Sequence, residues 1–411
     1  MDTTPTTVLD PALPASKSKR LGLREAAFAR LLSRIKEGRL QVSFPSGASV
    51  NVGDADLAPE RMQITDTAFF RRVFSGGSIG LGEAYVDQLW STPNLTGVLK
   101  IFAQNQKYLG QSKRGFSYLG RALNRLYHLG RRNTLSKSKE NIQEHYDLSN
   151  EFYQTFLDST MTYSSALFSN YYESLEQAQL NKIDRMLDLS GVKPGDRILE
   201  IGSGWGALAL RAAERGCSVK TITLSEEQFD YAKQCFDESP HGKNIEIALQ
   251  DYRELDGRFD AVVSCEMIEA VGKEYLESYF SKIRDSLQPG ARAVVQAITI
   301  PDDRYEQYCS SCDWIQKHIF PGGHLPSPGA IKRHVEAAEG LHLISMEGFG
   351  ADYAETLNRW AKQFNRNSRK VDALGFDSKF RRKWNYYLSY CEAGFDTSLI
   401  DVQHVVLERA V

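Results

Sequence analysis

The sequence predicts an α/β protein: a doubly wound parallel sheet preceded by a smaller α+β domain. Three observations carry this. Short apolar runs alternate with helical stretches through the second half of the chain. One of these runs, Ile198, Leu199 and Ile201, meets glycines at Gly202, Gly204 and Gly206, as a strand turning sharply into a helix would. At 411 residues the chain also exceeds what a single core commonly organises.

Residues 1–20 are rich in Pro, Thr, Ser and Ala and read as a disordered tail. The smaller domain is expected over 21–106. Residues 24–36 carry Ala27, Phe28, Leu31, Leu32 and Ile35 at helical spacing, and 40–52 alternate around Pro45-Ser46-Gly47 as a hairpin does. Strand and helix signals follow over 62–73. The glycines between 76 and 82 read as a flexible loop before a helical stretch at 83–89.

Between 107 and 139 there are nine Lys or Arg and no Asp or Glu, with an apolar stripe from Phe116 to Leu129, which predicts a basic amphipathic linker suited to anionic headgroups. Beyond it, residues 140–411 are expected to form the larger domain. A helix is expected at 174–187, then strands at 197–201, 218–224, 245–249, 259–265 and 291–300, with helices at 207–215, 225–236 and 275–287 between them. Residues 341–349 read as a further strand, and the long insertion 301–340 as a candidate lid.

The formal net charge of −2 argues against bulk nucleic-acid binding, and no apolar run is long enough to cross a membrane. The N-terminus lacks a signal-peptide order. Six scattered cysteines fit a reducing compartment, so a cytoplasmic protein touching the inner membrane surface is expected. Cys309 and Cys312 form one C-x-x-C whose nearby candidates for a second ligand pair are His318 and His324; it reads as a coincidence on a helix face, and no metal site is expected.

Glu200, Gly202, Gly204 and Gly206 spell E-x-G-x-G-x-G, not the G-x-G-x-x-G of a pyrophosphate site. The acid before the glycines suits a cofactor with an ammonium head and no phosphate, namely S-adenosylmethionine. Ligands of such sheets sit beyond the C-terminal strand ends. Thr223, Leu224 and Gln228 would therefore serve the ribose, Asp251 and Tyr252 would flank the adenine, and Glu266 and Glu269 would place two carboxylates at the mouth.

The motifs EHYDLSNEFY (144–153), MTYSSALF (161–168), LEIGSGWG (199–206), TLSEEQ (223–228), EMIEAVG (266–272) and IFPGGHLPS (319–327), with the aromatic stretch 353–360, resemble the cyclopropane fatty acid synthase family. The resemblance spans roughly 130–395, and the domain in front is similar to that of the phospholipid-acting members. It implies a Rossmann-like class I methyltransferase domain, Tyr163 and Ser164 at the cofactor, and a likeness to homodimeric enzymes.

The implied reaction is methylation of the cis double bond of an unsaturated phospholipid acyl chain, closing a cyclopropane ring. Tyr146, Tyr163, Phe168, Trp205, Trp314, Phe320, Tyr353 and Trp360 are the aromatic supply for the carbocation. The resemblance further implies a bound bicarbonate as base, held by Glu269, Tyr353, Gln296 and Ser165 with the backbone of Ile298. Gln296 stands where histidine is usual and Ser165 where cysteine is usual. A methylene or methyl-branched product from the same first step stays open, as does Glu269 acting directly as the base. A methyltransferase acting on a soluble substrate is a further alternative.

Overall fold

The computed structural model describes residues 20–109 and 148–411. All of the expected tail but Arg20, nearly all of the basic linker, and the start of the EHYDLSNEFY motif with Tyr146 lie outside the described residues.

The first sheet comprises β1 (Arg39–Ser43), β2 (Ser49–Gly53), β3 (Glu60–Ile64) and β4 (Trp90–Ser91), in the order β2-β1-β3-β4. β1 and β2 form the expected hairpin, with Arg39 opposite Gly53 and Ser43 opposite Ser49. Leu40, Val42, Met62 and Ile64 are buried at alternate positions, as a sheet with one face packed requires. Helices α1 (Leu23–Leu32), α2 (Ala68–Val86) and α3 (Leu95–Gln104) accompany it.

The glycines at 76–82 do not form a loop. α2 runs through them with a single break at Gly77, where φ is 56° and ψ −131°. Packing explains two of them: a Cβ on Gly80 would lie 2.1 Å from the carbonyl oxygen of Arg72, and one on Gly82 would lie 2.5 Å from Trp314 and 2.7 Å from Tyr386. Replacing Gly82 with Ala is therefore expected to destabilise the protein by about 1–3 kcal/mol through overpacking. Urea unfolding of G82A beside the wild type checks this, and equal midpoints would refute the close approach.

The second sheet has seven strands in the order β10-β11-β9-β8-β5-β6-β7. They are β5 (Arg197–Ile201), β6 (Ser218–Thr223), β7 (Ile245–Leu249), β8 (Phe259–Cys265), β9 (Leu287–Thr299), β10 (Leu341–Gly348) and β11 (Asp401–Arg409). β5 to β9 pair in parallel and are covered by α4 (Leu175–Ser190), α5 (Ala207–Glu214), α6 (Glu226–Glu238) and α7 (Leu276–Ser286). Chain order reverses at β5, with β6 on one side and β8 on the other. This reversal opens a crevice beyond the strand ends.

Three features depart from the sequence expectation. β9 starts at Leu287, before the Pro289-Gly290 pair expected to precede it. β11 was not anticipated; it inserts antiparallel between β9 and β10. The insertion 301–340 is not a lid throughout, because α8 (Pro328–Ala337) buries Ala330, Ile331 and Val335 and packs against α7 and β10 as a sheet-covering helix.

Between β10 and β11 lie α9 (Gly350–Arg366) and α10 (Ser378–Asp396), which join the two sheets. α10 packs on α2 and α3, Thr96 Oγ1 donates to Glu392 at 3.0 Å, and Arg382 donates to the carbonyls of Tyr85 and Trp90. One apolar core runs from Leu40 and Val42 through Trp384 and Trp360 to Tyr353 and Trp205. The smaller layer thus buttresses the helices that wall the crevice.

Candidate active site

The crevice at the reversal is lined by most of the residues expected to hold a cofactor: Tyr163, Ser164, Glu200, Gly202, Gly204, Thr223, Leu224, Gln228 and Tyr252. The turn after β5 is shaped by glycines at φ 95° (Gly202), 50° (Gly204) and 96° (Gly206). A Cβ on Gly204 would meet nothing, so the backbone there faces open space, whereas on Gly202 it would press on Met267 at 3.3 Å. Gly206 serves differently. Its Cβ would strike Phe236 at 2.7 Å, so this glycine lets α6 approach and does not face the crevice.

Thr223 Oγ1 donates to Gln228 Oε1 at 2.9 Å, which leaves the Gln228 amide nitrogen to be shared with a ribose hydroxyl. Asp251 is committed elsewhere. It holds Arg253 at 2.8 and 2.6 Å and does not line the crevice, and although burial opposes its charge, Arg253 outweighs this and holds the carboxyl below its ordinary range. Glu200 accepts from Thr221 Oγ1 at 2.5 Å. Burial pushes it up to about 8, so it awaits a cation such as an ammonium head. This donor set fits S-adenosylmethionine.

The expected anion-binding residues separate into two groups. Ser165 N–H and Gln296 Nε2 both donate to Glu266 Oε1 at 2.8 Å, and Tyr353 O–H donates to Glu266 Oε2 at 2.7 Å. Glu269 instead accepts from Ile298 N–H at 2.5 Å, and its buried Oε2 has no hydrogen-bond partner. Burial, reinforced by the Glu266 charge, pushes Glu269 up to about 8. The family resemblance grouped Ser165, Gln296 and Tyr353 with Glu269 around one bound bicarbonate; the fold instead turns these three donors onto Glu266. Because Glu266 already engages these donors, a separate bicarbonate does not fit on them.

Two further residues escaped the sequence reading. Lys182, on α4, is the one fully buried cation among the described residues; its Nζ donates to Ser164 Oγ at 2.6 Å and to Cys265 Sγ at 3.3 Å. The signal was present, because Gln179 and Lys182 interrupt the apolar face set by Ala178, Ile183 and Met186. His404, on the unanticipated β11, is held down to about 3 by burial and is neutral. Its Nε2–H donates to Gln296 Oε1 at 3.0 Å, which turns the Gln296 amide nitrogen toward Glu266.

Of the aromatic residues, Tyr163 meets Tyr153 and Trp360 at 5.3 Å each and pairs its hydroxyl with Tyr387 at 2.8 Å. Trp205 packs on Tyr153 at 4.8 Å, and Tyr353 stacks on Phe395 at 4.3 Å. Phe320 reaches Tyr387 at 6.0 Å. Two others are structural: Trp314 packs on Tyr386 beneath Gly82, and Phe168 lies under the Arg359 guanidinium at 4.4 Å.

A parallel sheet with its order reversed at β5, a glycine turn without phosphate spacing and a carboxylate for an ammonium head define a class I S-adenosylmethionine-dependent methyltransferase. Comparison with known proteins refines this. Residues 133–405 match the mycolic acid cyclopropane synthetase family, and the chain belongs to it.

The chain is 38% identical to the tuberculostearic acid methyltransferase of Mycobacterium tuberculosis, over 99% of this chain and 97% of that one. It is 34% identical to the cyclopropane-fatty-acyl-phospholipid synthase of Escherichia coli, over 86% and 89%. A mycolic acid cyclopropane synthase solved with SAH and CTAB superposes with a TM-score of 0.62 at 30% identity, covering 66% of this chain and 98% of that one. The protein is a methyltransferase of the cyclopropane synthase type acting on lipids.

Proposed function

We propose that the protein methylates the cis double bond of an unsaturated acyl chain carried on a membrane phospholipid and closes a cyclopropane ring there. The observation that carries this reading is the setting of Glu266. It lines the cofactor crevice, and Tyr353, which donates to it, stacks on Phe395 and meets Trp360 edge-on, so an aromatic cluster stands behind the carboxylate. Such faces stabilise a desolvated cation by about 2 kcal/mol each. When bound, S-adenosylmethionine supplies a sulfonium methyl to the alkene π pair, and the C–S pair returns to sulfur. The chain's residues then exclude water, shelter the cation and take a proton. The basic stretch 107–139 would dock anionic headgroups.

A second ending, a methylene or methyl-branched chain, is favoured by the similarity to the tuberculostearic acid methyltransferase along nearly the whole chain. Incubation with labelled S-adenosylmethionine and vesicles of cis-monounsaturated phosphatidylglycerol separates the endings by proton NMR. Upfield ring protons are expected, vinylidene protons would move the product to the second reading, and label in no lipid would overturn both.

A further inference from the structure

Resting on that reading, we propose that the carboxylate of Glu266 is the enzyme's own proton acceptor and takes the place that the family resemblance gives to a bound bicarbonate. Three groups from three separate parts of the fold converge on it: the backbone of Ser165 before α4, Gln296 on β9 and Tyr353 on α9. A carboxylate offers about four acceptor positions, so three are filled and one on Oε2 is left for a proton. Burial raises the Glu266 carboxyl above its ordinary range, as a proton acceptor requires, while the three donors and the buried Lys182 ammonium oppose that rise by favouring its charged form.

The backbone points the same way. Glu266 sits at φ 49°, the left-handed region that a glutamate rarely adopts, and such strain costs about 1–3 kcal/mol. The strained turn at the end of β8 aims the carboxylate into the crevice, where it lines the wall next to Met267. Glu269 is the poorer acceptor, with one N–H donor and a partnerless buried oxygen suited to a proton of its own.

The step balances. The alkene pair has formed the new C–CH3 bond and the neighbouring carbon is cationic. A C–H bond of the delivered methyl then gives its electron pair to that carbon, closing the ring, and its proton passes to Glu266 Oε2. The same proton lost after a hydride shift would leave a methylene group, so this role holds for either product.

The test uses the full chain in carbonate-free buffer and reads two quantities. Binding of isotope-labelled bicarbonate is followed by carbon NMR, with no lipid present. The wild type is expected to bind none at this site, and Glu266→Gly to gain a bound signal, because glycine accepts φ 49° without strain and frees the three donors. Turnover on vesicles is expected to be indifferent to added bicarbonate in the wild type and to fall by about 10²–10⁴-fold in Glu266→Gln, as for loss of a general base. Cofactor affinity should persist in that variant, and bicarbonate should partly restore Glu266→Gly.

A wild type that binds bicarbonate as well as Glu266→Gly does, or a Glu266→Gln variant with wild-type turnover, overturns the proposal. If the wild type methylates no lipid, the proposed substrate fails, and the binding comparison still decides what occupies the anion position.

Discussion

Lys182→Met is expected to lower turnover at pH 7 by about 10²-fold or more while leaving the fold intact, an effect in the range of a lost general base. Methionine matches the length of the buried side chain without its charge. Lys182 faces Ser164 before α4, Glu200 on β5, Cys265 and Glu266 on β8, and the neutral His404 on β11. Its ammonium therefore offsets the burial that raises Glu266. Without it, Glu266 keeps its proton to higher pH, fewer molecules carry a free base at neutrality, and the rising limb of the pH–rate profile moves to higher pH.

Stability should change little near pH 6.5, where a carboxyl can take up a proton. At pH 9 the variant should lose about 3–5 kcal/mol, the cost of leaving a buried charge uncompensated. Measuring kcat against pH, with melting at both pH values, tests this. A variant whose activity profile superposes on the wild type would reduce Lys182 to a packing role.

The second large effect concerns pH and stability. Glu200 and Glu269 are each pushed by burial from 4.5 to about 8. A carboxyl with a raised folded-state pKa holds a proton that the unfolded chain has released. Its contribution is complete below about 4.5 and is lost as the pH rises through about 8. For one such group the loss is at most about 5 kcal/mol.

Glu269→Gln removes one of the two, since an amide cannot ionise and can still accept from Ile298 N–H. Urea unfolding at pH 5.5, 7 and 8.5 is expected to show the variant gaining on the wild type as the pH rises. Parallel curves would mean that Glu269 is ionised in the folded protein at neutral pH.

Much of this protein was determined by local sequence. Strands β5 to β8 are short apolar runs bounded by Gly, Ser and Asp, and hydrophobic period together with turn chemistry is enough to place them. The crevice follows from the same logic, because each strand carries its lining residues at or just after its own end, at Gly202, Thr223, Tyr252 and Glu266.

What the tertiary structure alone decided are contacts between distant segments. The glycines of α2 look like a loop until Trp314 and Tyr386 are seen to press against Gly82, from more than two hundred residues away in sequence. Asp251 looks like a ligand of the adenine until Arg253 takes it. Glu266 and Glu269 are three apart at the end of one strand, and the family resemblance pointed to Glu269. The choice is made by Ser165, Gln296 and Tyr353, carried in by three different elements, and by His404 on a strand the sequence did not announce. Periodicity reports which face of an element is buried; which buried polar atoms meet there depends on how the elements pack.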